Sequence, residues 1–80
     1  MVTSAQIRAA RGLLNWTVRD LAERSGVHRN TVTRIETETT GPGHSVAAIR
    51  AALEAAGVEF IAENGGGAGV RMAKPGGAGA

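Results

Sequence analysis

The segment SGVHRNTVTRIE, residues 25–36, places many hydrogen-bonding side chains around three aliphatic ones. If the segment is helical, Val32 and Ile35 lie one turn apart on its inner face, and the outer face is polar with no acid before Glu36. The outer face then consists of His28, Arg29, Asn30, Thr33 and Arg34. Because arginine can pair with guanine and asparagine with adenine, this face is suited to reading base edges in a DNA major groove.

The charge distribution favours a polyanion as the partner. The net charge of +2 conceals an excess of cations in residues 1–34, where six arginines stand against Asp20 and Glu23 and give a local charge of +4. Eight of the nine basic residues are arginine, whose planar fork can bind phosphate through two hydrogen bonds. A solvated helical surface would look equally basic, so charge alone leaves both interpretations open.

Length and composition argue against several other classes of protein. Eighty residues make one small domain, which leaves little room for the deep cleft of an independent enzyme. The chain has no cysteine, so neither disulfides nor a thiolate metal site is expected. Its apolar runs are too short for a membrane span, and its first residues do not resemble a secretory signal. We expect a cytoplasmic binding module, not an enzyme, without metal or cofactor.

Capping signals predict where the first two helices begin. Thr3 and Gln6 have the spacing of a capping box, and Thr17 is placed as the N-cap of a second helix with Asp20 in its first turn. The second helix should stop at Gly26, which can adopt the left-handed conformation that reverses the chain. Two helices joined by a sharp turn are therefore predicted just before the polar segment.

The third helix is predicted from His28 to about Glu36, and a fourth begins near Ser45 and ends before Gly57. The loop between them, TETTGPG, is rich in turn-forming residues. The shared core of the second and third helices should consist of Leu21, Val27, Val32 and Ile35. This core would turn the polar side chains of the third helix outward.

After Gly57 the hydrophobic period changes from that of a helix to that of a strand. VEFIAE, NGGGAG and VRMAK read as a strand, a glycine-rich turn and a second short strand. The chain is accordingly divided into a helical domain in residues 1–57, a β-hairpin in residues 58–74 and a disordered tail in residues 75–80.

Residues 17–36, TVRDLAERSGVHRNTVTRIE, resemble the lambda and 434 repressor-like helix-turn-helix domains, the XRE or Cro/C1 type. The resemblance extends over residues 3–56. The positions that match the family pattern are Leu21, Ala22, Gly26, Val27, Thr31, Val32, Ile35 and Glu36. It implies a mainly α fold, a compact repressor-like bundle of about four helices, which is followed here by the short C-terminal β-hairpin.

The resemblance also implies roles for particular residues. The third helix would enter the major groove, and its base-reading residues would be Arg29, Asn30, Thr33 and Arg34. The phosphate-binding residues would be Thr17, Arg19, His28, Thr39 and Thr40. Arg11 and Glu36 would form a structural ion pair. Family members commonly have a phosphate-binding glutamine where this chain has Val18, so Thr17 or the neighbouring backbone amides must supply that contact.

The implied function is that of a dimeric transcriptional repressor that reads a double-stranded DNA site, an inverted repeat. An isolated two-stranded ribbon is marginal in water, so Val58, Phe60 and Ile61 need a partner surface. That surface is either the hairpin of a second chain, which would make these residues the dimer contact, or the chain's own helices. The alternative function is a protein-interaction adaptor, or an antitoxin-like partner, that adds its C-terminal strands to another protein's sheet.

Overall fold

Four helices and a two-stranded antiparallel sheet make up the part of the chain that the computed structural model describes, residues 2–38, 43–62 and 65–73. In chain order they are α1 (Ser4–Leu13), α2 (Val18–Ser25), α3 (Arg29–Glu38), α4 (Gly43–Ala55), β1 (Val58–Ile61) and β2 (Gly69–Met72). The predicted mainly α fold with a C-terminal hairpin is confirmed. Thr39 and Thr40 of the predicted phosphate site, and the predicted tail, lie outside the described residues.

The capping box predicted for α1 is present, and the N-cap predicted for α2 is part of a second one. The Thr3 hydroxyl oxygen accepts from the Gln6 N–H at 3.1 Å, and the Gln6 Oε1 accepts from the Thr3 N–H at 2.9 Å. Thr17 and Asp20 make the same reciprocal pair at the start of α2, at 3.0 and 2.9 Å. Gly26 then ends α2 with a φ of 74°, in the left-handed region that glycine enters without a Cβ clash.

Two helix boundaries differ from the sequence-based expectation. α3 continues to Glu38 instead of stopping at about Glu36, and α4 begins at Gly43, two residues before Ser45. The predicted end of α3 followed its last apolar residue, whereas the backbone stays helical because no glycine or proline interrupts it there. The longer helix brings Thr37 onto the same element as the proposed base readers.

One core holds the helices and the hairpin together. Its buried hydrophobic residues are Val2, Ile7, Ala10, Leu21, Val32, Ile35, Ile49, Leu53 and Val58. Among the four residues expected between α2 and α3, three are fully buried and Val27 is half-buried against them. Trp16 also packs against this core, and the Arg24 guanidinium lies over its ring at 5.1 Å from the centroid.

The hairpin packs on the helices of its own chain. The register pairs Val58 with Met72, Glu59 with Arg71, Phe60 with Val70 and Ile61 with Gly69. Val58 is 4% exposed and belongs to the core, and Phe60 and Val70 pack against it. The second of the two alternatives for the hairpin, packing on its own helices, is therefore present in the structure.

Gln6 joins the hairpin to the start of α1. While its Oε1 accepts from Thr3, its Nε2 donates to the carbonyls of Ile61 at 3.1 Å and Gly69 at 2.9 Å. The side chain is 4% exposed, so these hydrogen bonds satisfy a polar group that would otherwise be costly to bury. One buried amide thus fixes the hairpin's position on the helices.

Gln6→Ala should lower the free energy of unfolding by about 2 kcal/mol, because three hydrogen bonds worth about 0.5–1.5 kcal/mol each are lost. Gln6→Glu should be less stable than Gln6→Ala at neutral pH, since an ionised carboxylate cannot donate to the two carbonyls. Burial beside these carbonyls raises the pKa of the introduced carboxyl in the fold, so this variant should regain stability as the pH falls. Urea unfolding at several pH values measures both effects; a Gln6→Ala variant as stable as the wild type would contradict the expectation.

Candidate nucleic-acid interface

The outward face of α3 carries the residues predicted to read bases. Its exposed side chains are Arg29, Asn30, Thr33, Arg34 and Thr37, whereas Val32, Ile35 and Glu36 are buried. Asn30, Thr33, Arg34 and Thr37 follow helical spacing, so they form one stripe that is about 10 Å long at 1.5 Å per residue. Within the described ranges, no side-chain hydrogen bond or ion pair holds any of the four predicted base readers. Their donors and acceptors face solvent.

An ion pair fixes α3 against α1 from the inner side. The Arg11 guanidinium binds both carboxylate oxygens of Glu36, from Nε at 2.8 Å and from Nη2 at 3.1 Å. Glu36 is 4% exposed, and Arg11 also donates to the carbonyl of Trp16 at 3.1 Å. Arg8 adds a hydrogen bond to the backbone carbonyl of Glu36. The pair expected from the family resemblance is confirmed, and it holds the face of α3 in a fixed orientation.

The start of α2 presents Thr17 and Arg19 to solvent. The hydroxyl oxygen of Thr17 accepts from the Asp20 N–H, which leaves its hydrogen to donate to another group. The Thr17 N–H, which donates to the Asp20 carboxylate at 2.9 Å, holds the pKa of that carboxyl below its ordinary value. Asp20 therefore stays ionised at neutral pH and keeps the cap formed. Arg19 is largely exposed and lies 3.9 Å from Glu23.

His28 immediately precedes α3 and caps it with its ring. The backbone N–H of Asn30 donates to the His28 Nδ1 at 3.1 Å, and the His28 carbonyl accepts from Thr31 at 2.9 Å and Val32 at 3.0 Å. Because an accepting Nδ1 carries no proton, the neutral ring must bear its hydrogen on Nε2. This nitrogen is the one that remains to bind a phosphate.

An open groove brings several predicted residues together between α2 and the start of α3. It is lined by Arg19, Ala22, Glu23, Gly26, Val27, His28 and Arg29. Two predicted phosphate-binding residues, Arg19 and His28, thus share one surface with the first base reader, Arg29. Thr17, the N-cap of α2, is not one of the residues that line this groove.

Thr37 is an exposed residue of the α3 face that the sequence interpretation missed. Thr37 is absent from the predicted site because the sequence interpretation ends the third helix at about Glu36. No helix-breaking residue stands at that point. Its hydroxyl donates to the Thr33 carbonyl at 2.9 Å and lies 3.3 Å from that of Arg34. The hydroxyl hydrogen is consequently committed to the helix itself.

The residues predicted for a dimer contact lie in β1. Val58 is buried in the core, Phe60 is half-buried with the Arg50 guanidinium 5.6 Å from its ring, and Ile61 is half-buried. Arg50 is exposed and also pairs with Glu54 at 3.1 Å. The side chains of Val58 and Phe60 are therefore already used within the chain.

The described residues contain no group of three or more histidine, cysteine, aspartate or glutamate side chains arranged to hold a metal ion. No helix in this part of the chain is long and apolar enough to cross a membrane.

The central part of the chain matches a known protein family. A helix-turn-helix family model matches residues 7–49, more than half of the chain, from the first turn of α1 into α4. No curated protein matches the chain. The matched region contains the capped α2, the Gly26 turn and the outward face of α3. The chain belongs to the Cro/C1-type (XRE) helix-turn-helix family of DNA-binding regulators.

Proposed function

We propose that the protein is a sequence-specific transcriptional repressor that reads the major groove of duplex DNA with the exposed face of α3. The observation that carries the proposal is the contrast between the two sides of this helix. The inner side is fixed by the buried Arg11–Glu36 pair, and the outer side presents Arg29, Asn30, Thr33 and Arg34 to solvent. A rigid helix with unoccupied donors and acceptors is what base recognition requires.

The side chains of the four proposed base readers suit different bases. Arg29 and Arg34 suit guanine, Asn30 suits adenine, and Thr33 can offer either its hydroxyl or its methyl group. Their exposure supports this assignment, because no described contact within the chain has to be broken before they bind. Recognition of a duplex would then combine several neighbouring base pairs along one helix.

The phosphate contacts are assigned to the residues around this helix. Thr17 would donate its hydroxyl hydrogen, Arg19 its guanidinium and His28 its Nε2–H. Thr39 and Thr40 keep the phosphate-binding role that the family resemblance implies for them. Because such contacts release counterions, the affinity should fall as salt is added.

The experiment that tests this function is selection from a random duplex library at low and near-physiological salt, followed by sequencing of the retained DNA. Enrichment of an inverted repeat supports a sequence-specific dimer. Salt-sensitive retention without enrichment would mean non-specific binding and contradict the proposal. No retention at either salt concentration would favour the adaptor alternative.

For the dimer, we propose that the backbone edge of β1 pairs with the same edge of a second chain. The Ala73 N–H donates to the Gly57 carbonyl at 2.7 Å, which marks a hydrogen-bonded pair of the antiparallel ladder. Since such pairs alternate, the N–H and C=O groups of Val58 and Phe60 point away from β2. An unpaired strand edge is a template for another strand. A two-fold axis at Phe60 would pair Ile61 with Glu59 of the partner and keep the two Glu59 side chains apart.

Ile61→Glu should convert the dimer to a folded monomer, because it places like charges opposite each other across this edge. Ile61→Lys is the matched control and should stay dimeric, since its charge is opposite to that of Glu59. Analytical ultracentrifugation measures the mass, and circular dichroism shows whether each variant is folded. A dimeric Ile61→Glu variant, or a monomeric wild type, would contradict the proposed edge.

A further inference from the structure

The cap of α3 depends on the protonation state of one side chain. The Asn30 N–H donates to the His28 Nδ1 at 3.1 Å, and this bond needs the lone pair of a neutral ring. N-caps in proteins are usually serine, threonine, aspartate or asparagine, whose oxygens accept at neutral and mildly acidic pH. Histidine is the side-chain type that changes charge between about pH 5 and pH 8. This cap can therefore be removed by a proton.

Protonation would act on the first turn of α3 in two ways. It would leave the Asn30 N–H without its side-chain acceptor, and it would place a cation at the positive end of the helix dipole. Arg29 and Asn30 occupy that first turn. Two of the four proposed base readers are thus on the turn that the cap orders.

The charged groups around His28 come from α2 and α3. The groove that His28 lines also contains Arg19 and Glu23 of α2 and Arg29 of α3. Glu23 is the one carboxylate among these groove residues, and it lies 3.9 Å from Arg19.

We propose that His28 is a positioning residue for DNA recognition, whose neutral ring orders the first turn of α3 and whose protonation weakens binding. The inference rests on the proposed function, because it assumes that Arg29 and Asn30 read bases. A phosphate contact would use the same Nε2–H in both charge states, so protonation adds only a solvent-screened charge there. We expect the loss of the cap to exceed that gain at near-physiological salt.

The experiment compares the wild type, His28→Asn and His28→Ala on the duplex enriched from the random library, at about pH 8 and about pH 5.5. Asparagine supplies a cap that does not ionise in this range, and alanine supplies none. His44, the other histidine, is the same in all three proteins, so its protonation cancels in their affinity ratios.

The ratio of the wild-type Kd to the His28→Asn Kd should rise roughly fivefold from the higher to the lower pH. This factor corresponds to the stabilisation that one N-cap typically contributes. His28→Ala should bind weakly at both pH values, and its ratio to His28→Asn should stay constant. A ratio that stays flat, or that falls because the charged ring binds phosphate more tightly, would overturn the proposal.

A second measurement needs no DNA. Nitrogen-15 NMR of the free protein at about pH 8 should show His28 with its hydrogen on Nε2 and a bare Nδ1. A hydrogen on Nδ1 would overturn the inference even if the protein binds DNA specifically. Conversely, NMR can show the His28 cap while the library yields no enriched sequence. In that case the proposed function is wrong, and so is the DNA-binding part of this inference.

Discussion

Glu36→Ala should lower the free energy of unfolding by about 3 kcal/mol, because it breaks a buried ion pair by removing one partner. The Glu36 side chain is 5% exposed and that of Arg11 25%, so the guanidinium would lose two hydrogen bonds in a site with limited access to water. For a domain of this size the loss corresponds to a fall in Tm of roughly 10–20 °C. Thermal and urea unfolding measure it.

Glu59→Ala is the matched control for this prediction. Glu59 also pairs with an arginine, Arg71, at 2.5 Å, but the two side chains are 46% and 68% exposed. A solvent-exposed pair contributes about 0–1 kcal/mol, so this variant should be nearly as stable as the wild type. Equal and small effects of the two substitutions would contradict the role given to the Arg11–Glu36 pair in fixing α3.

Arg34→Ala should weaken binding to the selected duplex by about 1–3 kcal/mol, or roughly 5-fold to 150-fold, as expected for the loss of one guanine contact. The Arg34 side chain is exposed and has no hydrogen-bonding partner among the described residues, so the free energy of unfolding should change little. Binding titrations and urea unfolding of the same samples separate the two effects. If Arg34→Ala lost both affinity and stability, the loss of affinity would not show that Arg34 contacts a base.

Two other arginine substitutions show whether the effect belongs to base contact or to charge. Arg71→Ala removes the same charge from an exposed position on β2, far along the chain from α3, and should leave the affinity nearly unchanged. Arg19→Ala should weaken binding equally for all sequences and reduce the salt slope by about one, as a phosphate contact does. If all three variants lost affinity alike, only the net charge would matter.

Local rules were sufficient to predict where α1 and α2 begin and where the turn of the helix-turn-helix lies. Thr3 and Thr17 are each followed three residues later by a side chain that can return a hydrogen bond, and both boxes are present. Gly26 adopts the left-handed conformation that its position after Ser25 indicated. The Arg11–Glu36 pair followed from the family resemblance and not from spacing, because the two residues meet only through tertiary packing.

The contacts that the sequence did not predict depend on groups with more than one possible partner. Gln6 was recognised as a capping-box residue, but no pattern shows that its amide nitrogen reaches two carbonyls of the hairpin. His28 was expected as a phosphate ligand, but the sequence does not reveal which ring nitrogen faces the Asn30 N–H. The end of α3 was misplaced because Thr37 and Glu38 are polar and leave no hydrophobic signal.

The measurement that tests the central claim most directly is a parallel selection of random duplexes by the wild type, Arg34→Ala and Arg71→Ala. The face of α3 reads bases if the wild type and Arg71→Ala enrich the same inverted repeat, while Arg34→Ala loses its preference at one position of each half-site and keeps it elsewhere. An Arg34→Ala selection that returns the unchanged wild-type repeat would contradict base reading by this helix face.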